Sequence, residues 1–442
     1  MSTKLDRIAE IAKEKPKGQF TSLIHLINKE MLKQCHKELD GNKATGTDSV
    51  TKQEYEVDLE ENIDNLIISM KNHTYRPQPV KRVYIPKANS EKKRPLGIPA
   101  HEDKIVQLAI NKILKAIYEQ DFLDCSFGFR SNRSCHDAIK ILDVYLTKKN
   151  TNYVVDADIK GFFEHVNHEW MMKFLEVRIK DPNLLRLIGR FLKSGIMEQG
   201  KFYKVYEGTP QGGLISPTLA NVYLHYALDL WFEKVVKKYC AGKAYLVRYA
   251  DDFIACFETE KDAEAYYSAL IKRLNKFNLE IAEDKTKIMS YGAKVYYEYK
   301  DKGGPKPPTF DFLGFTHYCD CNKYGRYRTK RRTSSKKFRA SLMRCKQWIV
   351  KSRTLPLFEI IKKLKQKLTG YYRYYGITDN WQNIYNYEKR VLLLVYKWLN
   401  RRSQRKSYRW AGFRKMLSYF KLPKPKVYVS IFELKPTISY IL

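Results

Sequence analysis

Apolar residues recur at helical spacing up to about residue 40 (Leu23, Ile24, Leu26, Ile27, Met31, Leu32), and the run ends at Gly41. Gly46 follows in a loop of Gly, Thr and Asp, and a second helical pattern runs from Tyr55 to Met70. Between Tyr75 and Lys87 the prolines forbid a helix, while Val83 and Ile85 alternate as in a strand. Asn89-Ser90 predicts a turn and Arg94 to Pro99 the returning strand, which together make a basic hairpin. Helical spacing resumes from Glu102 to Tyr118. Tyr153 to Ile159 predicts a buried strand with a carboxylate near its end, and Tyr245 to Phe257 two apolar strands broken by a two-Asp turn. A charged, proline-bearing loop from Lys300 to Pro308 precedes Phe310-Asp311-Phe312-Leu313-Gly314-Phe315. From Lys323 to Arg353 Lys and Arg dominate, and helical spacing returns at Leu357 to Leu368 and at Val391 to Trp398. The change of character predicts a domain boundary near residue 325, with a basic, mainly helical domain after it. No internal repeat is seen.

Composition adds a partner to this picture. The 442 residues are 44% hydrophobic, enough for a sizeable core and for two or three domains. Lys plus Arg number 82 against 48 Asp plus Glu, a formal charge of +34. Such an excess repels itself unless a polyanion neutralises it, and RNA or DNA is the usual one. An anionic membrane is the rival, but no run of about 18 apolar residues is present. The start, Met1 to Gly18, is charged throughout and lacks a secretory apolar stretch, so the expectation is a soluble cytoplasmic protein, bacterial in type. The eight cysteines are scattered without zinc-site spacing and are expected to be reduced thiols. Tyrosines interleaved with cations, as in Gly370 to Gly376, are core material or stacking platforms for bases.

Two carboxylate sites carry the chemistry: Asp158 at the end of one apolar strand, and Asp251-Asp252 on a turn between two others. Acidic residues are rarely buried in sheets unless paired or metal-bound. Phosphoryl transfer to a nucleotide uses two ions about 3.5–4 Å apart that clamp the attacking and leaving oxygens. Magnesium suits this role, because it takes a few carboxylates and fills its octahedron with water and phosphate. Asp158 alone is better explained as a strand terminator; the Tyr249-Ala250-Asp251-Asp252 hairpin is not. Asp156, two residues before Asp158, shares its strand face and is the rival for its role.

Tyr249-Ala250-Asp251-Asp252 resembles the catalytic hairpin of reverse transcriptases, and Asp158-Ile159-Lys160-Gly161-Phe162-Phe163 resembles their first catalytic strand. Between them, Gly208-Thr209-Pro210-Gln211-Gly212-Gly213-Leu214-Ile215-Ser216-Pro217 is similar to the loop that packs under the incoming nucleotide. The ordered set is far more specific than any one motif. Arg76 to Pro99 resembles the fingers hairpin, Ser126 to Arg130 the next fingers block, and Asp284-Lys285-Thr286 and Phe312 to Phe315 the last palm motifs with the primer grip. The Gly41 to Asp48 loop and the Leu368 to Gly376 segment point, within that family, to group II intron-encoded reverse transcriptase/maturases. The loop carries Lys43-Ala44-Thr45-Gly46 where many relatives have a further glycine, which leaves its contacts open.

The resemblance implies an α+β right-hand polymerase with fingers and an antiparallel palm sheet, plus an α-helical thumb. Residues 1–54 would be an N-terminal extension, 55–325 the fingers and palm, and 326–442 the basic thumb or maturase domain. Asp158, Asp251 and Asp252, with the Ile159 carbonyl, would hold two Mg²⁺, with Mn²⁺ as a substitute. Lys87 and Arg94 would clamp the triphosphate. Phe163 would be the aromatic gate that excludes a 2′-hydroxyl, and Gln211 would support the nucleotide. Lys285 would be either a general acid toward pyrophosphate or a neutralising charge. Arg130, Gly314, Lys330, Arg331, Arg332, Tyr371 and Tyr372 would contact nucleic acid. The implied activity is RNA-directed DNA polymerisation from dNTPs on an RNA template with a DNA or RNA primer. The family also binds its parent group II intron RNA, assisting splicing, and target DNA in mobility; oligomeric state is left open. An RNA-binding splicing factor without polymerisation, another class of reverse transcriptase and an RNA-dependent RNA polymerase are the alternatives. No His/Cys cluster of an HNH nuclease follows the helical region, so no endonuclease domain is expected.

Overall fold

The computed structural model describes residues 2–86, 93–148, 150–209, 212–405 and 407–436. Its strands, in chain order, are β1 (Val80–Pro86), β2 (Lys93–Ile98), β3 (Tyr153–Asp158), β4 (Ile196–Glu198), β5 (Lys201–Tyr203), β6 (Ala244–Tyr249), β7 (Asp252–Phe257), β8 (Lys287–Ser290), β9 (Phe310–Phe312), β10 (Phe315–Cys321) and β11 (Tyr327–Thr333). Two compact units result: residues 1–134, 155–255 and 261–288 form one, and 135–154, 256–260 and 289–442 the other.

In the first unit the basic hairpin forms as its alternation predicts. β1 and β2 pair antiparallel with Ile85 opposite Arg94 and Lys81 opposite Ile98. The turn expected at Asn89-Ser90 lies outside the described residues. β1 also pairs in parallel with β4, which turns back into β5, giving the order β2-β1-β4-β5. The helix His101–Asp121 has Ile105, Val106, Ala109, Ile110, Ile113, Leu114 and Ile117 without solvent exposure, so it is a core helix rather than an amphipathic one. β6, β7, β3 and β8 lie in that order in a second sheet, which sets the end of β3 beside the turn between β6 and β7.

The N-terminal residues are built into this unit. Arg178 is 2% exposed and donates to the carbonyls of Ala12, Lys15 and Gly18. Asp181 accepts from the amides of Leu23 and Ile24 at 2.6 and 2.8 Å. Partners more than 150 residues away in sequence thus tie this N-terminal stretch into the unit. Thr51 and Glu54 form a reciprocal capping box that starts the helix Lys52–Val57.

The second unit pairs β9, β10 and β11 as an antiparallel sheet, with Phe315 opposite both Phe312 and Thr333. The boundary expected near residue 325 therefore falls inside the turn of the β10–β11 hairpin. Along β11 the cations alternate between two environments. Arg332 is exposed, whereas Arg331 is fully buried against Asp143 and Asp379. Helices Ser335–Ser352, Leu357–Tyr375, Trp381–Leu399 and Trp410–Tyr419 enclose an apolar core that includes Ile349, Ile361, Leu364, Leu368, Val391, Val395 and Phe413. The whole is a mixed helix-and-sheet protein in which, among the described residues, no helix is long and apolar enough to cross a membrane.

Candidate active site

β3 delivers Asp158, half-buried, at its C-terminal end, with Val154, Val155 and Ala157 packed inside. The Asp158 carbonyl accepts from Ala282, and Lys160 donates to Glu280, so the strand continues past its carboxylate along residues 280–282. Lys285 Nζ lies 2.6 Å from Asp158 Oδ2. That hydrogen bond lifts the Lys285 ammonium above its ordinary pKa and keeps it charged.

β6 and β7 meet at Ala250-Asp251, with Ala250 at φ +58°. A non-glycine residue in this left-handed region is strained and persists only where its surroundings hold it. Here they do. Gly128 lies so close that a Cβ on it would come within 2.4 Å of the Ala250 nitrogen. Phe127 donates to the Arg248 carbonyl at 2.8 Å and Arg248 to the Cys125 carbonyl at 2.7 Å. Beneath the turn the Arg248 guanidinium, fully buried, donates to Asp229 Oδ1 at 2.7 Å, Asn221 Oδ1 at 3.0 Å, Ser126 Oγ at 2.8 Å and the Ala250 carbonyl at 2.9 Å. The strained residue is thus tied to an arginine that cannot move.

Asp251, beside that residue, is mostly buried. Burial pushes its carboxyl above the usual range, the nearby Asp158 carboxylate pushes the same way, and Arg94 and Arg248 pull it back. Asp158 and Arg94 thus both act on the Asp251 carboxyl. Asp252 begins β7, half-buried. Among the described residues no three His, Cys, Asp or Glu side chains form a ready-made metal cage. The donor set still fits magnesium, which needs only one or two carboxylates plus water and substrate phosphate. Two carboxylates that repel each other, one of them held by an ammonium, are the local signature of a place where a cation is favourable.

Phe163 lies half-buried beside Phe162, with ring centroids 5.4 Å apart. It lines a cleft of about 640 Å³ with Pro95 and Gly97 of β2 and with Thr209. Two glycines close the loop over it. Gly208 sits at φ +86° where a Cβ would meet the carbonyls of Glu164 and Phe163 at 2.8 and 2.9 Å, and Gly212, at φ +113°, lies against the Gly97 carbonyl. Leu214 donates to Gln107 Oε1, and Ser216 opens the following helix. Lys87 and Gln211 lie outside the described residues.

Several residues expected to contact nucleic acid are engaged elsewhere. The Arg130 side chain is 4% exposed, paired with Glu119 at 3.1 Å and hydrogen-bonded to the carbonyls of Leu123 and Ser126. Arg331 is buried on its two aspartates, and Lys330 pairs with Asp320 at 3.1 Å. Tyr371 stacks on Tyr387 with centroids 3.5 Å apart, and Tyr372 has no exposure. Gly314, at φ +82°, forms a turn whose carbonyl accepts from Ser334. Arg332 remains exposed, over the Tyr318 ring. What sequence reasoning missed is the Arg248–Asp229 pair; its signal was an arginine inside an apolar strand together with an aspartate inside the apolar stretch Ala227 to Phe232.

Comparison with known proteins agrees with this geometry. The chain is 41% identical over 222 residues to "Group II intron-encoded protein LtrA" of Lactococcus lactis subsp. cremoris, covering 50% of this chain and 37% of that protein. It is 37% identical over 207 residues to "Protein YkfC" of Escherichia coli (strain K12), covering 46% and 53%. A weaker match, 26% over 142 residues, covers 31% of this chain and 17% of "Nuclear intron maturase 4, mitochondrial" of Arabidopsis thaliana. The matches thus take in about a third to a half of the first two relatives' length. The family profile for reverse transcriptase (RNA-dependent DNA polymerase) fits residues 85–317, more than half of the chain, and that span holds both carboxylate sites and the loop between them. A sheet that presents acidic strand ends, matched across its whole length by that profile, places this chain in the reverse transcriptase (RNA-dependent DNA polymerase) family.

Proposed function

We propose that this chain is an RNA-directed DNA polymerase that copies RNA into DNA from dNTPs, and that it binds a group II intron RNA whose splicing and mobility it assists. The observation that carries the polymerase reading is the sheet order β6-β7-β3-β8, which brings Asp158 at the end of β3 beside the turn that carries Asp251 and Asp252, where Arg94 also acts on the Asp251 carboxyl. The intron reading is supported by the names of the relatives and by the charge of +34.

Asp158, Asp251 and Asp252 would hold two Mg²⁺, which supply the clamp on the attacking and leaving oxygens. Around them the protein's own groups orient the nucleotide. Arg94, exposed on β2, reaches toward the triphosphate with a guanidinium suited to bidentate phosphate contact. Phe163 presents its ring to the cleft between β2 and the Gly208 loop, where a 2′-hydroxyl would collide with it. Lys285, bonded to Asp158, would either neutralise charge there or serve as the general acid toward pyrophosphate.

Primer extension on an RNA template with Mg²⁺ and dNTPs, comparing wild type with Asp251→Ala/Asp252→Ala, tests the assignment. Extension by wild type alone supports it. Tight RNA binding by both proteins with extension by neither would replace it with a splicing factor that does not polymerise.

A further inference from the structure

Away from the carboxylates, the helix Pro182–Leu192 carries three cations, Arg186, Arg190 and, just past its end, Lys193, spaced to share one face. They line a cleft of about 700 Å³ together with Arg76. Two of the guanidiniums converge on the same pair of carbonyls. Arg76 Nη1 donates to His73 O at 2.9 Å and Tyr75 O at 3.2 Å, while Arg190 donates to Tyr75 O at 2.8 Å and His73 O at 2.9 Å. Like charges drawn this close repel, and Arg76 and Arg186 both lower the pKa of Arg190, after the effect of burial.

No carboxylate relieves the crowding. Among the described residues Arg76, Arg186, Arg190 and Lys193 form no ion pair, and Glu176, the acid lining the cleft, forms none either. His168, on the cleft wall, has its pKa lowered by burial and, to a lesser degree, by Lys193, against the opposing pull of its ring's bond to the Gly208 carbonyl. Gly189 faces open space where a side chain would otherwise stand, so a ligand can approach the helix backbone. Leu185 and Met172 supply apolar wall suited to a ribose or base.

We propose that this cleft binds the phosphodiester backbone of an RNA strand, at a site separate from the polymerase carboxylates. The proposal rests on the reading of the chain as a protein that works on RNA. Seven residues of helix separate Arg186 from Lys193, a span of about 10 Å at 1.5 Å per residue. That is longer than one phosphate ion and suits successive phosphates of a strand. Arg76 and Arg190, anchored by carbonyls, retain unused N–H donors and keep their geometry before the ligand arrives, which limits the ordering cost of binding.

The test is the affinity of the full chain for a labelled RNA stem-loop of about 30 nucleotides, without primer, over a range of salt concentrations. Arg186→Ala/Lys193→Ala removes two exposed cations whose side chains make no hydrogen bond among the described residues; Lys4→Ala/Lys13→Ala removes the same charge from the N-terminal helix as a control. The cleft variant is expected to bind about tenfold more weakly near physiological salt and to lose roughly 2 from the log–log salt slope. The control should stay near wild type. Equal affinities and slopes for the two variants would overturn the proposal. So would unchanged RNA binding accompanied by weaker binding to phosphatidylglycerol vesicles, which would assign the cleft to lipid headgroups. Because the readout is binding, a wild type that fails to extend primers would sink the polymerase reading and leave this result standing.

Discussion

Removing Asp229 should unfold the support of the turn that carries Asp251. Asp229 and Arg248 both have no solvent exposure and are joined by two hydrogen bonds, one of them Nε to Oδ1 at 2.7 Å. Breaking a buried pair by deleting one partner leaves a charge in low dielectric, at a cost of about 3–5 kcal/mol. Arg248 would keep Asn221, Ser126 and the Ala250 carbonyl, all of them neutral acceptors, so none of its remaining hydrogen-bond partners replaces the lost carboxylate, and Asp251 acts on it without a hydrogen bond among the described residues. For a domain of this size that cost lowers the midpoint of thermal unfolding by roughly 10 °C. Asp229→Asn, which keeps one acceptor, should lose less than Asp229→Ala. The pair Asp229→Leu/Arg248→Met, which removes both charges, should recover much of the stability of Asp229→Ala while still failing to restrain Ala250. Urea unfolding of the four proteins, followed by circular dichroism, gives the stabilities; primer extension gives the consequence for the turn. A loss below about 1 kcal/mol for Asp229→Ala would show that water enters and solvates Arg248, and the reasoning from burial would fail. Full extension by the double variant would show that Ala250 holds its strained conformation without the arginine.

Three further outcomes follow from the same coordinates. Gly128→Ala puts a methyl within 2.4 Å of the Ala250 backbone nitrogen, so extension should fall at least tenfold and stability by about 1–3 kcal/mol; a variant with wild-type extension would refute that close approach. Phe163→Ala should let ribonucleotides be incorporated, measured as the ratio of dNTP to rNTP extension efficiency; an unchanged ratio would reduce Phe163 to a packing residue. Asp103, bonded to the Tyr75 hydroxyl at 2.5 Å and the Gln78 amide at 2.9 Å, has its carboxyl pushed up to about 7 by burial. The folded state therefore holds a proton that the unfolded chain releases near pH 4, so stability should fall as pH rises from about 4 to 7. Asp103→Asn should flatten that decline, and equal slopes for variant and wild type in urea titrations would exclude Asp103 as its source.

Local pattern was sufficient for the elements that carry the site. The alternation around Val83 and Ile85, the apolar run ending at Asp158 and the two-Asp break after Tyr249 each formed the strand or turn they predict. Each depends on neighbours within a few residues, through the strand's two-residue period and the conformations a turn allows. The β4–β5 hairpin escaped notice because its strands are three residues each, too short to show a period. The site cations were less legible. Arg94 and Arg130 look alike in sequence, both basic residues in motif blocks, yet one is exposed on β2 and the other is buried on Glu119.

Residue order alone was enough to read the family, the order of the strands that present acidic residues and the excess of positive charge that calls for a polyanion. Tertiary structure alone decided which charges face water. Arg331 and Arg332 are adjacent on β11, and only packing against Asp143 and Asp379 turns the first into core and leaves the second outside. Arg248 finds Asp229 nineteen residues back and Ser126 more than a hundred back, and with them fixes the turn that carries Asp251. The physical reason is range: strand and turn preferences act between near neighbours, whereas desolvation and the pairing that offsets it depend on whatever the folded chain brings alongside.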